Sequence, residues 1–296
     1  MQSFIPVFME EKICMITGAN SGIGKEMAIQ LAKRGHHVVM ICRNEDRGKK
    51  ALEEIKNRSG NSKIDLLIAD LGNLRTIKPM VDQFLAKYPR LDVLINNAGV
   101  FKQKRTTSVD GFEMIFAVAH LGHFYLTILL LESLKKSAPA RIINVSSDIH
   151  RFFTVHFEDL MFEKKYASQK AYGSAKFANV LFTKDLAKKL AGTGITVNAF
   201  HPGHVKTNMT TSNDSRFVRF FTALSGPLYT PVNKAAQTGV YLATSPEVSN
   251  ISGEYFKKCA IAKSHKMTQD EEYQSKLWNI SRDMLNKCGF EIKPDI

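Results

Sequence analysis

Residues 12–24 read KICMITGANSGIG, a short apolar run, Lys12–Thr17, that breaks into a turn with glycines at Gly18, Gly22 and Gly24. A helix-patterned stretch, 24–34, follows at once. An apolar run of strand length, a glycine turn and a helix form the opening of a βαβ unit, and the alternation recurs along the chain. Strands are expected over 12–17, 37–42, 64–69, 93–95, 141–145 and 195–200, with helices over 24–34, 46–57, 74–87, 113–136 and 171–190. Strands separated by helix-length crossovers cannot pair as hairpins, so they must build a parallel sheet covered on both faces. Right-handed crossovers make this a doubly wound, Rossmann-type α/β sheet of about seven strands, the seventh, 254–256, closing one edge.

The composition agrees. Of 296 residues 44% are hydrophobic and 23% charged, which excludes a disordered polymer and supplies apolar surface for a core. No Pro/Gly/Ser-rich linker interrupts the chain, so one Rossmann-type domain over 1–296 is expected. The net charge of +13 favours anionic company. Its lysine pairs are dispersed through amphipathic stretches, which reads as solvated helix faces and no nucleic-acid footprint. Contact with a membrane surface stays open. Cys14, Cys42, Cys259 and Cys288 lie far apart without a C-x-x-C pair, which suits a reducing, cytoplasmic location and suggests no zinc site. Met114–Leu131 carries no Lys, Arg, Asp or Glu and just reaches membrane-spanning length. His120, Gly122, His123 and Thr127 within it and strand patterns on both sides favour a buried helix.

In a doubly wound sheet, ligands sit at the carboxyl ends of the strands, where helix N-termini point backbone N–H groups outward. Gly18, Gly22 and Gly24, with Asn20, Ser21 and Ile23 between them, remove Cβ atoms where a pyrophosphate would approach. A bare glycine triplet also suits a plain loop; the strand before and the helix after favour a dinucleotide. The second strand ends in Cys42-Arg43-Asn44. An acid at this position would bond a free ribose 2′-hydroxyl, whereas Arg43 can pair a 2′-phosphate, which favours NADP(H) over NAD(H). Arg43 as a solvated residue at a helix start is the bland alternative. Asp70-Leu71 follows the third strand and Asn96-Asn97-Ala98-Gly99 the fourth, with small residues that let backbone pass beside adenine and ribose.

Tyr172 and Lys176 lie four residues apart on a helical pattern, hence on one face. A free tyrosine titrates near ~10, so acid/base work at neutral pH calls for a nearby cation, which Lys176 supplies. Ser146-Ser147 ends the fifth strand, where a hydroxyl can donate to a substrate oxygen. Pro202, Gly203, Val205 and Thr207 follow the sixth strand and can wrap a nicotinamide.

Taken together, TGxxxGIG, NNAG, YxxxK and PGxVxT in this order resemble the short-chain dehydrogenase/reductase family, and most closely its retinol dehydrogenase-like branch. The resemblance spans nearly the whole chain and includes Asp110–Glu113, His120–Phe124, Asn144–Ser147, Tyr255-Phe256 and Leu277-Trp278. It implies a reversible carbonyl/alcohol oxidoreductase with Ser147, Tyr172 and Lys176 as catalytic residues. By the same resemblance, Lys176 binds nicotinamide ribose and lowers the tyrosine pKa. It implies a mobile lid over apolar substrate near 208–230, where Phe217, Phe220 and Phe221 stand, although an amphipathic helix packed on the core would look the same. Many relatives form a homodimer along 113–136 and 171–190, whereas a monomer is the alternative for this branch, so the resemblance leaves a homodimer open. One departure matters: the branch carries a relay asparagine where this chain has Ala119, which opens the alternative of a catalytically impaired NADP(H)-binding protein. His120 and His123 could pair on a metal, but no third ligand is suggested, and packing or helix contacts are expected of them.

Overall fold

The computed structural model describes residues 11–203, 205, 229–290 and 292. In chain order the strands are β1 (Ile13–Thr17), β2 (His37–Cys42), β3 (Ile64–Ile68), β4 (Val93–Asn96), β5 (Ala140–Val145), β6 (Ile195–His201), β7 (Tyr255–Lys257) and β8 (Ala260–Ile261). They lie in one sheet in the order β3-β2-β1-β4-β5-β6-β7-β8, parallel throughout except for β8. The expected strands are all present. The edge is a correction: β7 pairs with β6 in parallel and does not close the sheet, because a tight turn through Lys258 and Cys259, both at positive φ, returns β8 antiparallel to it.

The helices are α1 (Gly22–Ala32), α2 (Glu45–Ser59), α3 (Ile77–Lys87), α4 (Met114–Lys136), α5 (Ser168–Lys189), α6 (Val232–Thr244) and α7 (Glu271–Lys287). Their ends follow capping chemistry. Asn44 accepts from Arg47 N at 2.9 Å, Glu45 and Asp46 occupy the positive end of α2, and Gly60 closes it in the left-handed region. The helix expected from 74 begins as a 3₁₀ turn at Leu74–Thr76, because Thr76 Oγ1 donates to the carbonyls of Asp70 and Asn73 before α3 starts.

Strand side chains alternate between two cores. On one side Met15, Val39, Leu94, Ile142 and Val197 meet α3, α4, α5 and α7. On the other Ile16, Met40, Ile95, Ile143 and Phe200 meet α1, α2 and α6. α4 is long and apolar enough to cross a membrane, and 83% of its most apolar window is buried inside the fold. Its first turns are unusual. Ala117–Leu121 is π-helical, and Gly122 then brings the helix so close to the loop after β3 that a Cβ there would lie 2.7 Å from the Leu71 carbonyl.

α7 lies across α4 and α5. Trp278 packs on Phe124 (4.8 Å between ring centroids) and Phe182 (6.1 Å), Lys189 Nζ stands 4.8 Å over its indole, and Ser281 Oγ meets His120 Nε2 at 2.8 Å. The two helices that the family resemblance offers as a dimer seam therefore carry a helix of their own chain.

Candidate active site

The sheet reverses its winding between β1 and β4, and at such a switch point the loops beyond the strands diverge to leave a crevice. The loop after β1 forms one wall. Gly18 turns through φ 67°, and a Cβ on Gly24 would lie 2.5 Å from the Gly18 carbonyl, so only glycine lets α1 begin this close to the strand. α1 has no acidic residue in its first turn, and Ser21 at its N-cap makes no side-chain cap bond. This leaves a positive helix end and backbone N–H donors facing the crevice, a donor set that suits the pyrophosphate of a dinucleotide. Asn20 and Ile23 belong to the same loop and first turn.

Arg43, exposed at the end of β2, has its guanidinium 4.0 Å from Asp70 at the end of β3. Asp70 also accepts from Gly72 N at 2.9 Å, which shapes the turn, while Leu71 is buried. After β4, Asn97 donates from Nδ2 to the Thr17 carbonyl at 2.7 Å, and Ala98 lies against Gly18, with Gly99 next in the chain. After β6, Gly203 takes φ 94°, with Pro202 before it and Val205 beyond. Thr207 and 208–228 of the expected lid lie outside the described residues.

The adjacent serines at the end of β5 divide. Ser146 is buried and its hydroxyl donates to the Lys176 carbonyl at 2.7 Å, tying the strand to α5. Ser147 is half-buried, its Oγ accepting only a long bond from Ile149 N at 3.4 Å. Tyr172, edge-on to Phe101 at 5.8 Å between centroids, and Lys176 share one face of α5. Lys176 Nζ donates to the Val145 carbonyl at 2.9 Å and stands 5.7 Å from the Tyr172 ring centre. Burial pushes the tyrosine up to about 12 and the lysine down to about 8. The expectation that Lys176 lowers the tyrosine pKa is thereby corrected, since burial alone moves each group, and Tyr172 is protonated and Lys176 charged at neutral pH.

The chain uses two further groups around the site that sequence reasoning did not single out. Asp148 accepts from Tyr255 OH at 2.9 Å and from Lys257 Nζ at 2.5 Å, which pins the segment after Ser147 to β7. His150 Nδ1 donates to the Ser147 carbonyl at 2.6 Å. Tyr255 was visible in the sequence as part of a family motif, but its partner across 107 residues was not. Ala119 is fully buried in a small apolar cluster with Ile115, Phe162, Ala171 and Ala175, against which Tyr172 packs. His120 and His123 turn to different partners, Ser281 and Thr17, and not to a common point.

A family model described as short chain dehydrogenase matches residues 12–216. The chain belongs to the short-chain dehydrogenase family. Its relatives include retinol dehydrogenase 12 of Mus musculus, 41% identical over 274 residues, 93% of this chain and 86% of that one. Retinol dehydrogenase 14 of Homo sapiens is 40% identical over 300 residues, 95% and 88% of the two chains. Among solved structures, an uncharacterised protein from Mycobacterium paratuberculosis superposes with a TM-score of 0.74 at 28% identity, covering 93% of both chains. An NADP complex of RhlG from Pseudomonas aeruginosa gives 0.69 at 25% identity, covering 85% of this chain and 96% of that one. This short-chain dehydrogenase is thus an oxidoreductase of the retinol dehydrogenase-like branch, with a crevice suited to a nicotinamide dinucleotide.

Proposed function

We propose that the protein is an NADP(H)-dependent oxidoreductase that interconverts an apolar aldehyde or ketone and its alcohol. The observation that supports this reading is the pairing of Lys176, its Nζ 5.7 Å from the Tyr172 ring centre, with the carboxyl end of β5, where it bonds the Val145 carbonyl. The Ser146–Lys176 bond also fastens the end of β5, next to Ser147, to α5. Gly18–Gly24, Asp70, Leu71 and Asn97–Gly99 would hold the dinucleotide, Arg43 its 2′-phosphate, and Pro202–Thr207 its nicotinamide end. Bound there, the nicotinamide supplies or accepts a hydride.

The protein's own part is the proton and the orientation. Ser147 donates to the substrate oxygen as negative charge develops on it. Tyr172, protonated at neutral pH, gives its proton to that oxygen in reduction and takes it back in oxidation. Lys176, charged below about pH 8, favours the phenolate left behind and can bond ribose hydroxyls. The relatives named retinol dehydrogenases point to an apolar substrate, which Phe101 beside Tyr172 suits. The proposal includes one domain over 1–296 in a cytoplasmic setting, in keeping with four free cysteines.

Turnover of NADPH and NADH against retinal, decanal and glyceraldehyde tests it. NADPH with the two apolar aldehydes is expected to be fastest, and Tyr172→Phe to remove the activity. Preference for glyceraldehyde, or undiminished turnover by the Phe variant, overturns it. A second reading, an NADP(H)-binding protein with impaired catalysis, is favoured by Ala119 alone. It wins if cofactor binds tightly while neither apolar aldehyde is reduced.

A further inference from the structure

His123, on α4, is 2% exposed and joins two walls of the crevice. Its Nε2 lies 2.8 Å from Thr17 Oγ1 and its Nδ1 3.1 Å from the Ala119 carbonyl. The proton positions follow from the partners. A carbonyl only accepts, so Nδ1 carries the hydrogen. Burial and the nearby Lys176 cation push the ring down to about 3, so it is neutral and Nε2 is an acceptor. Thr17 Oγ1 already accepts from Asn97 N at 2.8 Å and Ala98 N at 2.9 Å. Its one proton is therefore best used toward Nε2, since the alternative carbonyl, Ile95, is 3.4 Å away.

We infer that His123 is a positioning residue for the cofactor crevice. It orients the Thr17 hydroxyl so that both oxygen lone pairs face the NNAG loop, and ties this junction through Ala119 to the π-helical turn beside Tyr172. Without the imidazole, Thr17 is free to turn its proton toward Asn97 and Ala98, and the loop that lines the dinucleotide loses its anchor. This rests on the proposed function in assuming a nicotinamide dinucleotide in the crevice. The imidazole itself touches neither cofactor nor substrate.

The test is the Kd for NADPH, read by the fluorescence of the bound nicotinamide, with no carbonyl substrate present. His123→Leu and Thr17→Val are each expected to weaken binding about tenfold, as for loss of one buried hydrogen bond, and the double variant to be no weaker than either single one. His123→Gln places an acceptor near the former Nε2 and is expected to bind within about twofold of the unaltered chain. His123→Asn keeps only the donor toward Ala119 and is expected to bind as weakly as the Leu variant. With saturating NADPH, KM for the carbonyl is unchanged in all. Additive single effects, equal binding by the Gln and Asn variants, or an unaffected Kd overturns the inference. If the unaltered chain binds no nicotinamide dinucleotide, the inference falls together with the reading beneath it. Thermal melting of each variant separates a folding defect from a lost anchor, and the Thr17 variant keeps the test open if His123→Leu fails to fold.

Discussion

Ser146 and Ser147 are neighbours in the chain, yet the first spends its hydroxyl on the Lys176 carbonyl at 2.7 Å while the second only accepts a long bond from Ile149 N at 3.4 Å. Just past the end of β5 they part, Ser146 buried and Ser147 half-buried. Their substitutions are expected to act on different observables. Ser147→Ala should lower kcat/KM about 10²–10³-fold, the range for removing an oxyanion donor, with Tm little changed. Ser146→Ala should cost about 0.5–1.5 kcal/mol in stability, the net worth of an ordinary hydrogen bond, since the Lys176 carbonyl keeps its donor within α5. Kinetics and melting curves on the two variants check this.

Lys176 is charged in a place that disfavours charge, and stability should carry the signature. Its folded value, about 8, lies below its unfolded value of 10.5, so the unfolded chain binds more protons between those limits. Stability contributed by this group therefore rises with pH across that window, and the penalty is at its fullest below pH 8. Lys176→Met should remove the penalty, raising Tm at pH 7 while abolishing turnover. The Tm difference between variant and unaltered chain should shrink from pH 8 to 10. A variant that melts lower at pH 7 contradicts this.

Cofactor choice is expected to rest on Arg43. Replacing it with alanine should weaken NADPH by about 1.5–3 kcal/mol, as for hydrogen bonds to charged groups, and leave NADH unchanged, measured by titration of each. Equal weakening of both would assign Arg43 to holding Asp70 instead.

Ala119→Asn probes the relay position. If the family's asparagine serves proton transfer here, kcat should rise well above tenfold with NADPH Kd little changed, a positioned relay being worth about 10²–10⁴-fold. The surrounding Ile115, Phe162, Ala171 and Ala175 offer an amide little polar company, so Tm should fall at the same time. An Asn variant that is no faster favours the impaired-catalysis reading.

The sole tryptophan, Trp278, is a reporter for the docking of α7. Trp278→Ala should destabilise by about 3–5 kcal/mol, as large aromatic truncations in cores do. With α7 occupying the α4 and α5 surface, sedimentation should give a monomer of 33.2 kDa. A dimer through these two helices would show instead that α7 leaves its place.

The strands were legible because buried parallel strands are short apolar runs, and the glycine loop and Tyr172/Lys176 spacing stand out by local pattern alone. What escaped depends on distance or on geometry without a residue signature. β8 follows a turn made by Lys258 and Cys259, neither a usual occupant of positive φ. The π-helical turn at Ala117–Leu121 looks like any helical stretch in sequence. Leu277-Trp278 entered only through the family resemblance, and no helix was expected there; nothing local tells that Trp278 sits on α7 against Phe124 and Phe182, more than ninety residues earlier.

The docking of α7 also sets a timetable. About 80 residues separate the end of α5 from the start of α7, so at ~5–20 residues per second the ribosome needs roughly 4–16 seconds to deliver the cover for Phe124 and Phe182. During that interval two aromatic helix faces stand exposed on a growing chain. The last packing step in this half of the molecule waits on synthesis, whatever the intrinsic speed of folding.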